Sequence, residues 1–187
     1  MSNSSVCPWW AGPALNWSLR KLWHNPETML SPYLKPGMTV MDVGCGMGYY
    51  TVPMAKLTGS AGQVVAVDLQ PQMLSGMLNR ARKAGVDQII KTCNCSTNSL
   101  KIDTWKEQVD FVLISMMLHE VPDKTHLIQE VQEVLAPGGH LLFIEPIFHV
   151  NKANFNESIR LMNAHGLVVT EKPAITMCRS AVLVKRR

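Results

Sequence analysis

The sequence predicts an α/β fold built on a mostly parallel sheet with helices on both faces. Three observations carry this. From Met38 onward, strand-like and helix-like segments alternate with short connections. The strand-like runs, such as VVAVDL and DFVLISM, are nearly continuously apolar, as strands covered on both faces must be. Between the first strand and its helix lies a turn with a glycine at every second position, GCGMG.

The elements follow in order. Before residue 37 the chain is aromatic-rich and broken by Pro8, Pro13, Pro26, Pro32 and Pro36, with short helices expected around 14–24 and 26–33. MTVMDVG is a buried strand, and YYTVPMAKLTG a helix closed by Gly59. GQVVAVDL is the second strand. The next helix has Pro71 in its first turn and Gly85 at its end. QIIKTC is a third strand, followed by a polar loop and a short helix to Trp105; VDFVLISM is the fourth. DKTHLIQEVQEVLAPGG reads as a helix capped by Asp123 and stopped at Pro-Gly-Gly, ahead of the fifth strand, HLLFIE. Residues 151–165 are a helix, and GLVVTEK with TMCRSAVLVKR forms a closing antiparallel hairpin.

Bulk properties exclude several classes. A chain of 187 residues with 47% hydrophobic and 17% charged content fits one domain with a sizeable core. The net charge is +4, but its Lys and Arg are scattered, so the clustered basic stripe of a nucleic-acid face is missing. No apolar run approaches the roughly 18 residues that span a bilayer, and the first residues make a poor signal peptide. Five irregularly spaced cysteines suit free thiols in a reducing cytoplasm. Cys93 and Cys95 form C-x-C without a second pair at zinc-site spacing.

In a parallel sheet, ligands sit beyond the carboxyl ends of the strands. That places the site on segments 42–50, 68–70, 93–97, 115–123 and 145–149. Gly44, Gly46 and Gly48 let the backbone approach a ligand, and Asp68 stands 20 residues beyond Gly48, where a carboxylate accepts both ribose hydroxyls. The spacing is G-x-G-x-G, and Asp42 precedes it. A carboxylate there repels a pyrophosphate but suits a cationic ligand. The segments VMDVGCGMG, VVAVDLQPQML, DFVLISMMLHEVPD and VLAPGGHLLFIEP, in this order, resemble class I S-adenosylmethionine-dependent methyltransferases, of the small-molecule branch that includes quinone-precursor and arsenite enzymes.

The resemblance implies a Rossmann-like three-layer sandwich, with a seven-stranded mostly parallel sheet and a reversed last strand. It implies one domain over 1–187, with 1–36 an N-terminal helical lid and 37–187 the cofactor-binding core. By motif, Gly44, Gly46 and Gly48 would line the methionine and ribose portion of S-adenosylmethionine, and Asp42 would act near its amino group. Asp68 would take the ribose hydroxyls, Leu69 would pack on adenine, and Ser115 would sit near the methionine end. Where the family often has an Asp after the third strand, this chain has TCNCST, so Asn94 or Cys95 takes that place.

Four polar residues mark the rim on the acceptor side: His119 and Glu120 after strand four, Glu145 and His149 after strand five. Each has a plainer role open to it, as a loop-orienting group or a cap. Together they suit a general base, His119 or His149, held in one tautomer by a carboxylate. They also suit a divalent metal or a metalloid substrate held by His119, Glu120, Glu145 and His149. Trp9 and Trp10, with Met116, would cover a substrate pocket; Cys7 is a thiol beside them. No inserted domain for a large acceptor is visible, so the expectation is a small O, S or C nucleophile, no nucleic-acid or membrane partner, and a cytoplasmic monomer or homodimer. The alternatives are a metal-assisted or metalloid-directed methyltransferase, and a non-catalytic cofactor-binding partner protein.

Overall fold

The structure, a computed structural model, describes residues 24–186. The sheet has seven strands in the order β3-β2-β1-β4-β5-β7-β6. These are β1 (Thr39–Val43), β2 (Gln63–Asp68), β3 (Ile90–Asn94), β4 (Val109–Ser115), β5 (Leu135–Pro146), β6 (Leu167–Glu171) and β7 (Cys178–Lys185). The helices are α1 (Pro26–Leu30), α2 (Thr51–Thr58), α3 (Pro71–Lys83), α4 (Lys124–Val134) and α5 (Lys152–Ala164). The expected α/β sandwich with a reversed last strand is what forms: β7 runs antiparallel to both β5 and β6. No described helix is long and apolar enough to cross a membrane. Of the expected lid, the helix around 14–24 falls almost entirely, and Cys7, Trp9 and Trp10 entirely, outside the described residues.

The chain divides into two compact units at Cys95/Ser96. In the first, β1 pairs in parallel with β2, and β2 with β3, in a register that aligns Asp42 with Ala66 and Asp68 with Asn94. Val40, Met41, Val43 and Val64–Val67 are fully buried, which explains why β1 and β2 read as unbroken apolar runs. Helices α1 and α3 each begin with a proline that fixes φ, and α3 carries Arg80, Arg82 and Lys83 in its last turn, where the helix dipole favours cations.

In the second unit, β4 and β5 pair in parallel, with Ser115 opposite Ile144. Here the structure departs from expectation. The segment LAPGG, read as a helix end, belongs to β5, whose pairing starts at Leu135 opposite Val109 and shifts register before Phe111. Pro137 cannot continue the helix. Gly138 takes φ +82°, and a Cβ on Gly139 would lie 2.9 Å from the Ala136 carbonyl and 3.0 Å from that of Val109. The two glycines thus make an irregularity that a straight strand could not. Helix α5 docks on β5 through Phe155, which stacks on Phe143 at 5.1 Å between ring centres. That packing fixes where Asn154 and Ser158 project.

Candidate functional site

The first unit collects one set of polar groups at the carboxyl ends of β1–β3. Gly44, Gly46 and Gly48 all adopt left-handed backbone conformations, with φ of 75°, 52° and 80°. Alternating this conformation with ordinary ones curls the turn. The amides of Gly44 and Cys45 then both donate to the Val67 carbonyl, at 2.9 and 3.0 Å. At Gly48 a Cβ would strike Met77 Cγ at 2.7 Å, whereas at Gly46 a Cβ would meet nothing within 4 Å. Gly48 therefore serves helix packing, and Gly46 borders open space.

Asp68 ties this turn to the next. Its carboxylate accepts from the Gly46 amide at 2.8 Å and from the Gln70 amide at 2.9 Å. Burial raises its pKa above the ordinary carboxylate value, while the amides of Gln70, Gly46 and Leu69 oppose the shift. Leu69 sits half-buried just after it. Asn94 donates from its side-chain amide to the carbonyls of both Asp68 and Leu69, at 3.0 Å each, and the Cys95 amide donates to Asp68 O at 3.1 Å. The residues after β3 thus brace the Asp68–Leu69 loop. Asp42, only 2% exposed, accepts a 2.6 Å hydrogen bond from the Thr51 hydroxyl. Burial, above all, raises its pKa to about 7, with Asp68 adding to the shift and Thr51 opposing it. Cys45 is buried and its thiol is pushed well above its usual value, chiefly by desolvation, so it is an inert filler.

The second unit carries the rim residues. Glu145, 1% exposed, accepts the His119 backbone amide at 3.1 Å on one oxygen and meets His119 Nδ1 at 2.7 Å with the other. Burial raises its pKa; His119 and, more weakly, Lys124 oppose this. His149 sets its ring edge-on to His119, 5.4 Å between centres. Its loop folds back through hydrogen bonds from the His149 and Val150 amides to the Pro146 carbonyl. A cavity of about 180 Å³ opens there, lined by His119, Lys124, Glu145, His149, Val150, Asn154 and Ser158. Ser115 ends β4 with a buried hydroxyl that has no hydrogen-bond partner among the described residues. Met116 follows at φ +57°, a strained turn secured by its amide on the Ile144 carbonyl.

His119, Glu145 and His149 are therefore brought together as expected, whereas Glu120 only approaches His119 Nε2 at 3.9 Å and does not line the cavity. The metal alternative finds no support. Among the described residues no group of three or more His, Cys, Asp or Glu is arranged to hold a metal. Glu145 spends both oxygens on His119, and His119 spends Nδ1 on Glu145. Sequence reasoning missed Thr51, Lys124, Asn154 and Ser158. The last two stand four apart on one face of α5, a signal that was readable once that helix was assigned.

A family model for methyltransferase domains matches residues 34–174. Demethylmenaquinone methyltransferase of Bacillus cytotoxicus is 28% identical over 131 residues, covering 70% of this chain and 54% of that protein. The Bacillus cereus enzyme of the same name is 29% identical with the same coverage. The chain thus spans about half the length of these curated relatives. Among solved structures, a SAM-dependent methyltransferase from Aquifex aeolicus aligns with a TM-score of 0.85 at 23% identity, covering 96% of this chain and all of the other. Geranyl diphosphate C-methyltransferase from Streptomyces coelicolor, in complex with Mg2+, geranyl diphosphate and S-adenosyl-L-homocysteine, aligns with a TM-score of 0.71 at 18% identity, over 90% of this chain and 81% of the other. At these identities the likeness is one of fold.

Proposed function

Because the chain belongs to the methyltransferase-domain family, we propose that it methylates a small molecule bearing an acidic hydroxyl, with S-adenosylmethionine as methyl donor. The residues of the first unit fit that cofactor. Asp68 is braced so that its carboxylate sits at the edge of the glycine turn, and Gly46 leaves open the volume a side chain would fill. Asp42 is a buried carboxylate whose charge is unfavourable until a cation arrives, which suits an amino group. When bound, S-adenosylmethionine supplies a methyl group already activated on a sulfonium, leaving the protein to align a nucleophile and exclude water. Asp68 would hold the ribose hydroxyls, and Leu69 would cover the adenine. Asn94 and Cys95 would act by holding the Asp68–Leu69 loop.

The observation that carries the catalytic part is the pair of hydrogen bonds between Glu145 and His119. An ionised carboxylate only accepts hydrogen bonds, so Nδ1 of His119 must carry the proton and Nε2 is left with its lone pair. His119 Nε2 then takes the proton of the acceptor hydroxyl as the oxygen is methylated, and Glu145 steadies the imidazolium. His149, edge-on to His119, helps confine the acceptor. The test is a labelled-methyl transfer assay over small phenols, enols, thiols and quinone precursors, run with and without chelator. A hydroxyl acceptor is expected to be methylated at a rate that chelation leaves unchanged. Transfer to thiols alone, which need no base, would contradict the role of His119.

A further inference from the structure

The cavity in the second unit holds a cation that the methyl transfer just described does not use. Lys124, half-buried at the first position of α4, lines it, and among the described residues it forms none of the salt bridges found there. An ammonium at a helix N-terminus sits at the positive end of the helix dipole and gains nothing from its own helix. The carboxylate whose field it feels, Glu145, already has both oxygens on His119. Lys124 is thus an amine directed to a polar hollow with no anion assigned to it. The other walls fit that charge: besides Val150 every lining residue is polar, including Asn154 and His149. Asn154 receives its place from α5, where Asn151 caps its backbone amide at 2.9 Å and Ser158 donates to its carbonyl at 3.3 Å.

Resting on the methyltransferase reading above, we propose that the acceptor is a hydroxy acid: a compact molecule whose carboxylate is bound by Lys124 while its hydroxyl meets His119. About 180 Å³ accommodates one ring with its substituents and little more. Two charges of opposite sign are thereby matched, Lys124 to the carboxylate and His119 to the hydroxyl that loses its proton. The acid group fixes the orientation of the molecule, so that one hydroxyl is selected for methylation. Lys124 is a specificity residue in this account.

The test uses the full chain saturated with S-adenosylhomocysteine, titrated calorimetrically with the three monohydroxybenzoates, with phenol and benzoate as controls carrying one function each. At least one hydroxybenzoate is expected to bind more tightly than either control. Lys124→Met should weaken that binding on the order of tenfold or more and leave phenol unchanged, as loss of one charge-assisted contact requires. Lys124→Arg should restore most of it. In histidine side-chain NMR spectra, the bound hydroxybenzoate should shift the His119 and His149 ring signals, which a merely structural lysine would not arrange. If the protein takes up S-adenosylhomocysteine but binds no hydroxybenzoate better than phenol, or if Lys124→Met binds it as well as the native chain, the inference is overturned while the methyltransferase reading stands. Failure to bind S-adenosylhomocysteine would overturn that reading instead.

Discussion

His119 and Glu145 are joined twice, backbone amide to Oε1 at 3.1 Å and ring Nδ1 to Oε2 at 2.7 Å, across 26 positions of sequence. One carboxylate thereby anchors both the path of the loop after β4 and the Nδ1 edge of its histidine. Glu145→Gln keeps the shape but presents an NH2 group that drives the Nδ1 proton to Nε2. We expect turnover to fall roughly 10²–10⁴-fold, the usual worth of a general base, with affinity for S-adenosylhomocysteine held within a few-fold. His149→Ala should also lower turnover without loss of cofactor affinity. Steady-state kinetics beside calorimetry separates these effects, and full activity in both variants would contradict the site.

Asp42 sets a pH dependence. Its pKa is raised from 3.8 to about 7 in the folded chain, so the native state holds its proton more tightly than the unfolded state. That contribution to stability is complete below about pH 4 and is lost as pH rises through about 7. Against Asp42→Asn, which keeps the shape and can still accept from Thr51, the native protein should lose on the order of 2 kcal/mol between pH 5 and pH 7, at about 1.4 kcal/mol per unit. Urea unfolding of both proteins across this range measures it. Parallel stability curves would contradict the burial of that charge.

The glycines of the turn separate packing from binding. Gly48→Ala meets both a left-handed φ and Met77 Cγ at 2.7 Å, so it should cost roughly 2–4 kcal/mol of stability. Gly46→Ala has only the conformational cost, about 1–2 kcal/mol, because nothing lies within 4 Å of its Cβ. If the open space at Gly46 belongs to the cofactor, that variant should fold yet bind S-adenosylhomocysteine at least about tenfold more weakly. Denaturant titration and calorimetry on the pair check this, and unweakened binding by a folded Gly46→Ala would remove the cofactor from that space.

Much of this was legible in the sequence, for physical reasons. Strands buried on both faces, such as Val64–Val67, leave unbroken apolar runs, and a turn that needs left-handed backbone leaves glycines. Asp68 stood out by its distance from those glycines, and in the fold its carboxylate accepts from the Gly46 amide. What stayed hidden depends on three-dimensional partner choice. Nothing in LAPGG marks it as strand, because its pairing with Val109 is a tertiary event that overrides the local helix stop. Asn94 stood where the family often has an Asp, and no local pattern shows that its amide nitrogen braces the carbonyls of Asp68 and Leu69. Lys124 carried no signal of its own in the sequence; the fold puts it in a cavity with His119 and His149.

The most direct measurement is isothermal titration of the full chain with S-adenosylhomocysteine, repeated with Asp68→Ala and with NADH as ligand. The account predicts one-to-one binding of S-adenosylhomocysteine, weakened by on the order of 1.5–3 kcal/mol in Asp68→Ala through lost hydrogen bonds to a charged group, and no binding of NADH. Binding of NADH without affinity for S-adenosylhomocysteine, or unchanged affinity in Asp68→Ala, would contradict it.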